Sequence, residues 1–275
     1  MKTSRSLLSL FLGLTLAASC ATPRGSGQSA AVDAIAWRTV PAGLALLGSD
    51  PGTFGHDTDE QPRHEARIAS FEMMVHPVTV EQWQMLEAEV KRTEPEGRWW
   101  SEAQTPKEWT GRCNLGSSRI KHPANCVDYR AARAFCKTLG GDLPTEAERE
   151  YAARAGANTP FFWGTGFDAQ HAVSSVSCGT RGCAGSTAEV ITTGPRCNAF
   201  GLCDLSGNVW EWTATDYQET LGAYVTVPVK TQPARPVHRG GSWLNEKPEM
   251  FRVSQRGLNY PTHGLTGVGL RCVKR

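Results

Sequence analysis

The sequence has almost no excess of charge. Twenty-nine Lys and Arg stand against 27 Asp and Glu over 275 residues. The two surplus cations, Lys2 and Arg5, lie at the extreme N-terminus, so the rest of the chain is neutral. No basic stripe is present, which excludes the footprint of a nucleic-acid binder. Neutrality also removes any electrostatic reason to bind a membrane. No apolar run reaches the roughly 20 residues a spanning helix needs. The seven His form no H-x-H or H-x3-H pair, so lone residues such as His64 and His238 read as structural. There is no G-x-S-x-G elbow and no phosphate loop. The composition of a disordered chain is absent as well. With 40% hydrophobic residues the chain can bury a real core.

Twenty-eight Gly and 16 Pro point to a loop-rich fold rather than a helical bundle. Lys2 and Arg5 precede an apolar run, LLSLFLGLTLAA, at residues 7–18. It is too short to span and fits the core of an export signal over residues 1–19. Leu16-Ala17-Ala18-Ser19-Cys20 resembles a bacterial lipoprotein signal, with Ala17 where Leu is usual. The expectation is lipidation at Cys20 and a bacterial cell-envelope location at the outer membrane, on its periplasmic or surface side, with the lipid as the only membrane contact. Ordinary cleavage nearby would instead give a periplasmic or secreted protein. Residues 20–34 are small and polar and read as a flexible tether. No repeat, linker or low-complexity run interrupts residues 35–275, so a single domain is expected there.

Eight cysteines remain after Cys20: Cys113, Cys126, Cys136, Cys178, Cys183, Cys197, Cys203 and Cys272. An even set in an exported chain suggests disulfides, and eight cysteines allow 105 pairings. The spacings Cys178-x4-Cys183 and Cys197-x5-Cys203 are not tight C-x2-C pairs, which favours sulfur bridges over zinc. Three helices are signalled. Thr79-x-x-Gln82 is a capping box opening a helix through about Ala88. Asp128 caps a second over 129–139, with Tyr129, Ala132, Cys136 and Leu139 on one face. Pro144-Thr145-Glu146-Ala147-Glu148 opens a third, ending near Gly156. The long irregular segments 93–127 and 164–200 call for cross-links or ions.

Several stretches then occur in a particular order: Val40-Pro41-Ala42-Gly43, Glu60-Gln61-Pro62-Arg63-His64, His122-Pro123, Leu143-Pro144-Thr145-Glu146-Ala147-Glu148, Trp163-Gly164, Asn198-Ala199-Phe200-Gly201-Leu202, Gly207-Asn208-Val209-Trp210-Glu211-Trp212, Arg239-Gly240-Gly241-Ser242-Trp243 and Gly269-Leu270-Arg271-Cys272. Their order and spacing resemble the sulfatase-modifying factor, or formylglycine-generating enzyme, family. The resemblance implies an α+β, C-type-lectin-like fold with little regular secondary structure. Arg149 stands where that family usually has Trp and reads as a surface change. Trp210-Glu211-Trp212 alternates as a half-buried strand would.

The resemblance also implies sites. The family's enzymes hold copper on two cysteines just after the Gly-Gly-Ser motif, since soft thiolates suit Cu(I). Those positions here are Asn245 and Met250, so no copper and no formylglycine-generating activity are expected. Nearby Asn245, Glu249, Arg252 and Arg256 are candidates to line a pocket, together with Glu246. The family joins the positions of Cys136 and Cys272 by a disulfide. Asn198, Ala199, Gly201 and Cys203 match a family calcium site, with Cys197 and Cys203 bracketing the loop. The second calcium site finds no ligand pattern at 172–190, only Cys178 and Cys183, and a sulfur staple is expected instead. These features imply a non-catalytic binding or accessory module for an envelope peptide, protein or glycan. An oxidoreductase using the same cleft, or a structural envelope protein, are the competing readings.

Overall fold

A computed structural model describes residues 35–99, 111–176, 185–221 and 233–275. The signal, Cys20, the tether, Cys178 and Cys183 lie outside these residues. Three helices and nine short strands are formed among the described residues. Strands β1 (Trp37–Val40) and β4 (Phe71–Met74) pair antiparallel, and β9 (Val273–Lys274) joins the other side of β4. Strands β2 (Gly43–Leu47) and β3 (His64–Ile68) form a separate hairpin. A four-stranded sheet runs in the order β7 (Arg256–Leu258), β6 (Pro236–Arg239), β5 (Trp210–Asp216), β8 (Val268–Gly269), with β5 and β8 parallel.

The capping chemistry sets the helices. Thr79 and Gln82 exchange side-chain and main-chain hydrogen bonds at the start of α1 (Val80–Thr93). That helix runs five residues beyond Ala88 because Val90 is buried and Lys91 and Arg92 complement its C-terminus. The Asp128 carboxylate accepts from Ala131 N and begins α2 (Tyr129–Thr138). Thr145 and Glu148 form the box opening α3 (Glu146–Arg154), which ends with Ala155 in the left-handed region. Helices α1 and α2 pack with Trp210 and Trp212 into one core, where Trp83 stacks on Phe135 at 5.3 Å. A second core joins β2, β3, β4 and α3 through Ala45, Leu47, Ile68, Met73 and Tyr151.

A network of buried ion pairs links the elements. Glu211 accepts from Arg149 at 2.6 Å and from Arg271 at 2.9 Å. Glu146 holds Arg239 and Arg256, each at 2.6 Å. Glu150 meets Arg154 at 2.6 Å and Arg239 at 3.0 Å, and Glu60 meets Arg252 at 2.6 Å. Burial pushes the Glu211 and Glu150 carboxyls upward. The adjacent guanidiniums outweigh it and hold both below the ordinary carboxylate value. Two expectations are corrected here. Arg149 is 1% exposed and is part of this network, not a surface change. Strand β5 is buried on both faces at Trp210-Glu211-Trp212, because Arg149 and Arg271 neutralise Glu211 from within.

Among the described residues three disulfides are formed, Cys113–Cys126, Cys136–Cys272 and Cys197–Cys203. The first holds part of the long irregular segment after α1. There Asn114 also donates to Pro123 O and Thr187 Oγ1, and Asn125 donates to Arg112 O and Thr266 O.

Candidate binding cleft

Backbone geometry shapes residues 240–251, the segment on which the resemblance puts the family's copper positions. Gly240 has φ 107°, and a Cβ there would sit 2.9 Å from Leu205 O and 2.8 Å from Arg149 Nη2. Gly207 has φ 82°, and its Cβ would meet Val173 O at 2.5 Å. Only glycine fits both places. Asn208 is also left-handed at φ 66°, and its amide pairs with both main-chain groups of Ala188. Its carbonyl accepts from Trp243 N, while Trp243 Nε1 donates to Thr266 O at 3.2 Å. Asn208 and Glu211 are thus scaffold residues.

Asn245 is a joint in this turn. Its Oδ1 accepts from Ser242 N at 2.8 Å, and its carbonyl accepts from Ser175 N. Met250 lies at the end of the turn and packs against both the first core and an aromatic cluster. In that cluster Trp163 stacks on Phe161 at 4.9 Å and on His171 at 4.8 Å. Phe167 approaches Phe251 at 5.5 Å, and the exposed Phe54 approaches Phe161 at 6.3 Å. The loop bearing Phe54 lies directly on Glu249, since a Cβ on Gly55 would collide with the Glu249 stem. Phe161, Trp163, Phe167, Phe251 and Met250 therefore form a packed aromatic cluster, with the exposed Phe54 at its edge and the Phe54 loop against Glu249.

The other two candidates do not line it. Arg252 is 0% exposed and bidentate to Glu60, with further bonds to Ser254 Oγ and Gln255 Oε1. Arg256 is 5% exposed and grips Glu146. Both can face inward because each buried guanidinium is paired with a buried carboxylate, Glu60 or Glu146. The sequence pointed to this region only through Asn245 and Glu249. The rings near it come from Phe54 and from residues 161–167, and no local pattern announced them.

Copper does not fit this turn, because neither an amide already bonded to Ser242 nor a thioether supplies the thiolate pair. The calcium loop also has a different use here. Asn198 Nδ2 donates to Ala152 O at 2.6 Å and Ala153 O at 3.1 Å. Its Oδ1 accepts from Phe200 N and Leu202 N. Ala199 and Gly201 add no carboxylate, and Cys203 is bonded to Cys197. The Asn198 oxygen is already saturated by backbone donors, so this set does not fit calcium. Elsewhere, His238 sits beside Trp210 and Trp212, and burial pulls its imidazole down to about 4.

The folded elements and this turn define an α+β domain of the formylglycine-generating-enzyme type. The profile of the sulfatase-modifying factor enzyme 1-like domain matches residues 27–275, and the chain belongs to that family. It is 30% identical over 268 residues to hercynine oxygenase of Mycolicibacterium smegmatis, with 84% of this chain aligned. It spans only 59% of that relative's length. It is 28% identical over 272 residues to inactive C-alpha-formylglycine-generating enzyme 2 of Mus musculus, covering 85% of this chain and 83% of that protein. The solved structure of PvdO from Pseudomonas aeruginosa superposes with a TM-score of 0.68 at 26% identity, covering 87% of this chain and 94% of that one.

Proposed function

We propose that this chain is a formylglycine-generating-enzyme-like domain without that activity, serving as a binding or accessory module in the cell envelope. It is exported and lipid-anchored at Cys20, and its ligand is an envelope peptide, protein or glycan. The observation that supports the reading is that Asn245 and Met250, where the resemblance puts the copper cysteines, are not cysteines. Asn245 is built into the turn by its bond to Ser242, and Met250 fills a seam between two apolar clusters. A relative of similar extent that is itself named inactive supports it. Similarity to a protein named as an oxygenase favours a second reading, in which the same cleft serves another oxidative reaction.

The test is an assay of the purified full chain with a cysteine-containing sulfatase peptide, Cu(I) and oxygen, with aldehyde formation read by hydrazone trapping. No aldehyde is expected. Aldehyde formation, or about one copper or iron per chain in protein exchanged without chelator, overturns the proposal. Cys20→Ala is expected to move the protein from the membrane to the soluble fraction.

A further inference from the structure

The hairpin of β2 and β3 has an open edge. Among the described residues β2 pairs only with β3, so its other side meets no strand. Just past β2, Gly48 N donates to Glu150 Oε1 at 2.8 Å, and Gly48 O accepts from Arg154 Nη2 at 2.7 Å. The next residue, Ser49, donates its N–H to Glu60 O, in the segment that leads into β3. Successive residues of an antiparallel strand direct their main-chain groups to opposite edges. Gly48 therefore marks the side away from β3, and the N–H and C=O groups of Leu46 and Leu44 point the same way. No group among the described residues takes them.

This edge opens onto a cavity of about 250 Å³. Three consecutive residues of β2 line it, Leu44, Ala45 and Leu46. Side chains alternate between the two faces of a strand, so only an edge presents three in a row. The facing wall is the end of α3, at Tyr151 and Arg154, with the loop at 156–158. Edge strands are commonly blunted by a charge or a proline. Strand β2 reads Gly-Leu-Ala-Leu-Leu and has neither, and Leu44 is 55% exposed. Two charged residues line the cavity. Arg154 is held by Glu150 at 2.6 Å, whereas the exposed Glu65 has no ion pair among the described residues.

An open row of main-chain donors and acceptors is the complement of another extended main chain. We infer that the edge of β2 captures an extended peptide segment of a partner protein as an added strand, with a lysine or arginine of that segment set against Glu65. Leu44 and Leu46 supply the main-chain bonds, and their side chains pack against small or apolar neighbours on the added strand. Glycans and acidic peptides lack this match. The surface is built by β2, β3 and α3 rather than by the turn at Asn245, so its occupancy is independent of any reaction there.

The experiment uses the full chain and isothermal titration calorimetry with three capped probes. These are the peptide Thr-Val-Lys-Val-Thr, the same peptide with Glu for Lys, and the Lys peptide N-methylated at its first Val and its Lys, which removes a donor from each edge. Saturable binding of the Lys peptide is expected, with about a tenfold loss for either change. Leu44→Pro removes one outward N–H at an exposed edge position, where proline is tolerated. It is expected to abolish binding with little change in unfolding temperature. Glu65→Lys is expected to reverse the preference between the Lys and Glu peptides. Hydrogen exchange read by NMR is expected to find the Leu44 and Leu46 amides fast in the free chain and slow in the complex, with Ala45 and Leu47 slow in both. No saturable binding, equal binding of the N-methylated peptide, or full binding by a folded Leu44→Pro protein overturns the inference. Slow exchange at Leu44 and Leu46 in the free monomer overturns it too, because another part of the chain then covers the edge. Slow exchange only where sedimentation shows a dimer assigns the edge to a second copy and overturns the peptide. An unchanged preference in Glu65→Lys overturns the basic residue.

Discussion

Removing the charge of Glu211 is expected to cost more than removing the arginine that contacts it most closely. Glu211 neutralises two buried guanidiniums, Arg149 at 2.6 Å and Arg271 at 2.9 Å. Glu211→Gln leaves both cations in the core beside a neutral amide. Stranding buried charge in this way costs about 3–5 kcal/mol. Arg149→Met keeps the volume roughly constant and leaves Glu211 paired with Arg271. Its losses are one partner and the bond to Leu205 O, worth about 1–3 kcal/mol. For a domain of this size each kcal/mol moves the midpoint by about 2–4 °C. Glu211→Gln is therefore expected to melt roughly 6–20 °C below the wild type, and Arg149→Met less far below. In the double variant only Arg271 is stranded, so the two losses fall short of adding, with a coupling of about 0.5–3 kcal/mol. The pH dependence has a defined sign. Burial raises the Glu211 pKa, but Arg149 and Arg271 pull it below the unfolded value. Its stabilisation is then present above the ordinary glutamate pKa of about 4.3 and fades as pH falls through the lower folded value. Denaturant unfolding followed by tryptophan fluorescence at pH 7 and in steps below the ordinary glutamate pKa of about 4.3 reads all of this. A loss under about 1 kcal/mol for Glu211→Gln, or a larger loss for Arg149→Met, would refute the reasoning.

The remaining predictions follow the same structure. His238 is depressed by burial to about 4, so the unfolded chain binds its proton first. Stability is expected to be full above about pH 6.5 and to fall by at most about 3 kcal/mol toward pH 4. His238→Leu should flatten that slope in an acid titration of the unfolding free energy. Replacing Cys136 and Cys272 together by Ala opens a loop with a separation of 136 residues. A loss of about 5 kcal/mol is expected from the chain-entropy relation, read by urea unfolding. Arg252→Ala leaves Glu60 buried and unpaired and is expected to cost about 3–5 kcal/mol in a melting experiment. Retention of ligand by a folded Arg252→Ala protein would agree with its place in the core.

The parts of this fold legible in the sequence are those with local chemistry. The capping boxes at Thr79 and Thr145 and the Asp128 cap each need only residues within one helical turn, and all three helices begin where those residues stand. The inward face of Cys136 followed from helical spacing. The ordered motifs disclosed the family because they sample the chain from Val40 to Cys272. The fate of the arginines was not legible. Arg252 and Glu60 are 192 residues apart, and Arg149 and Glu211 are 62 apart. A guanidinium in a polar stretch looks exposed until its carboxylate arrives from a distant strand. The candidate pocket failed at Arg252 and Arg256 for that reason. Asn245 and Glu249 are only partly buried. Asn198 was readable as a loop ligand by type, but its bonds to Ala152 and Ala153 depend on the packing of α3.

The last five residues carry a disproportionate share of these contacts. Arg271 enters the buried network, Cys272 closes the longest disulfide, and β9 completes the sheet that β1 begins. The domain therefore cannot complete its fold while its C-terminus is still being synthesised. Strand β4 waits for β9, about 200 residues further along the chain, and the bond from Cys136 can close only once Cys272 is present.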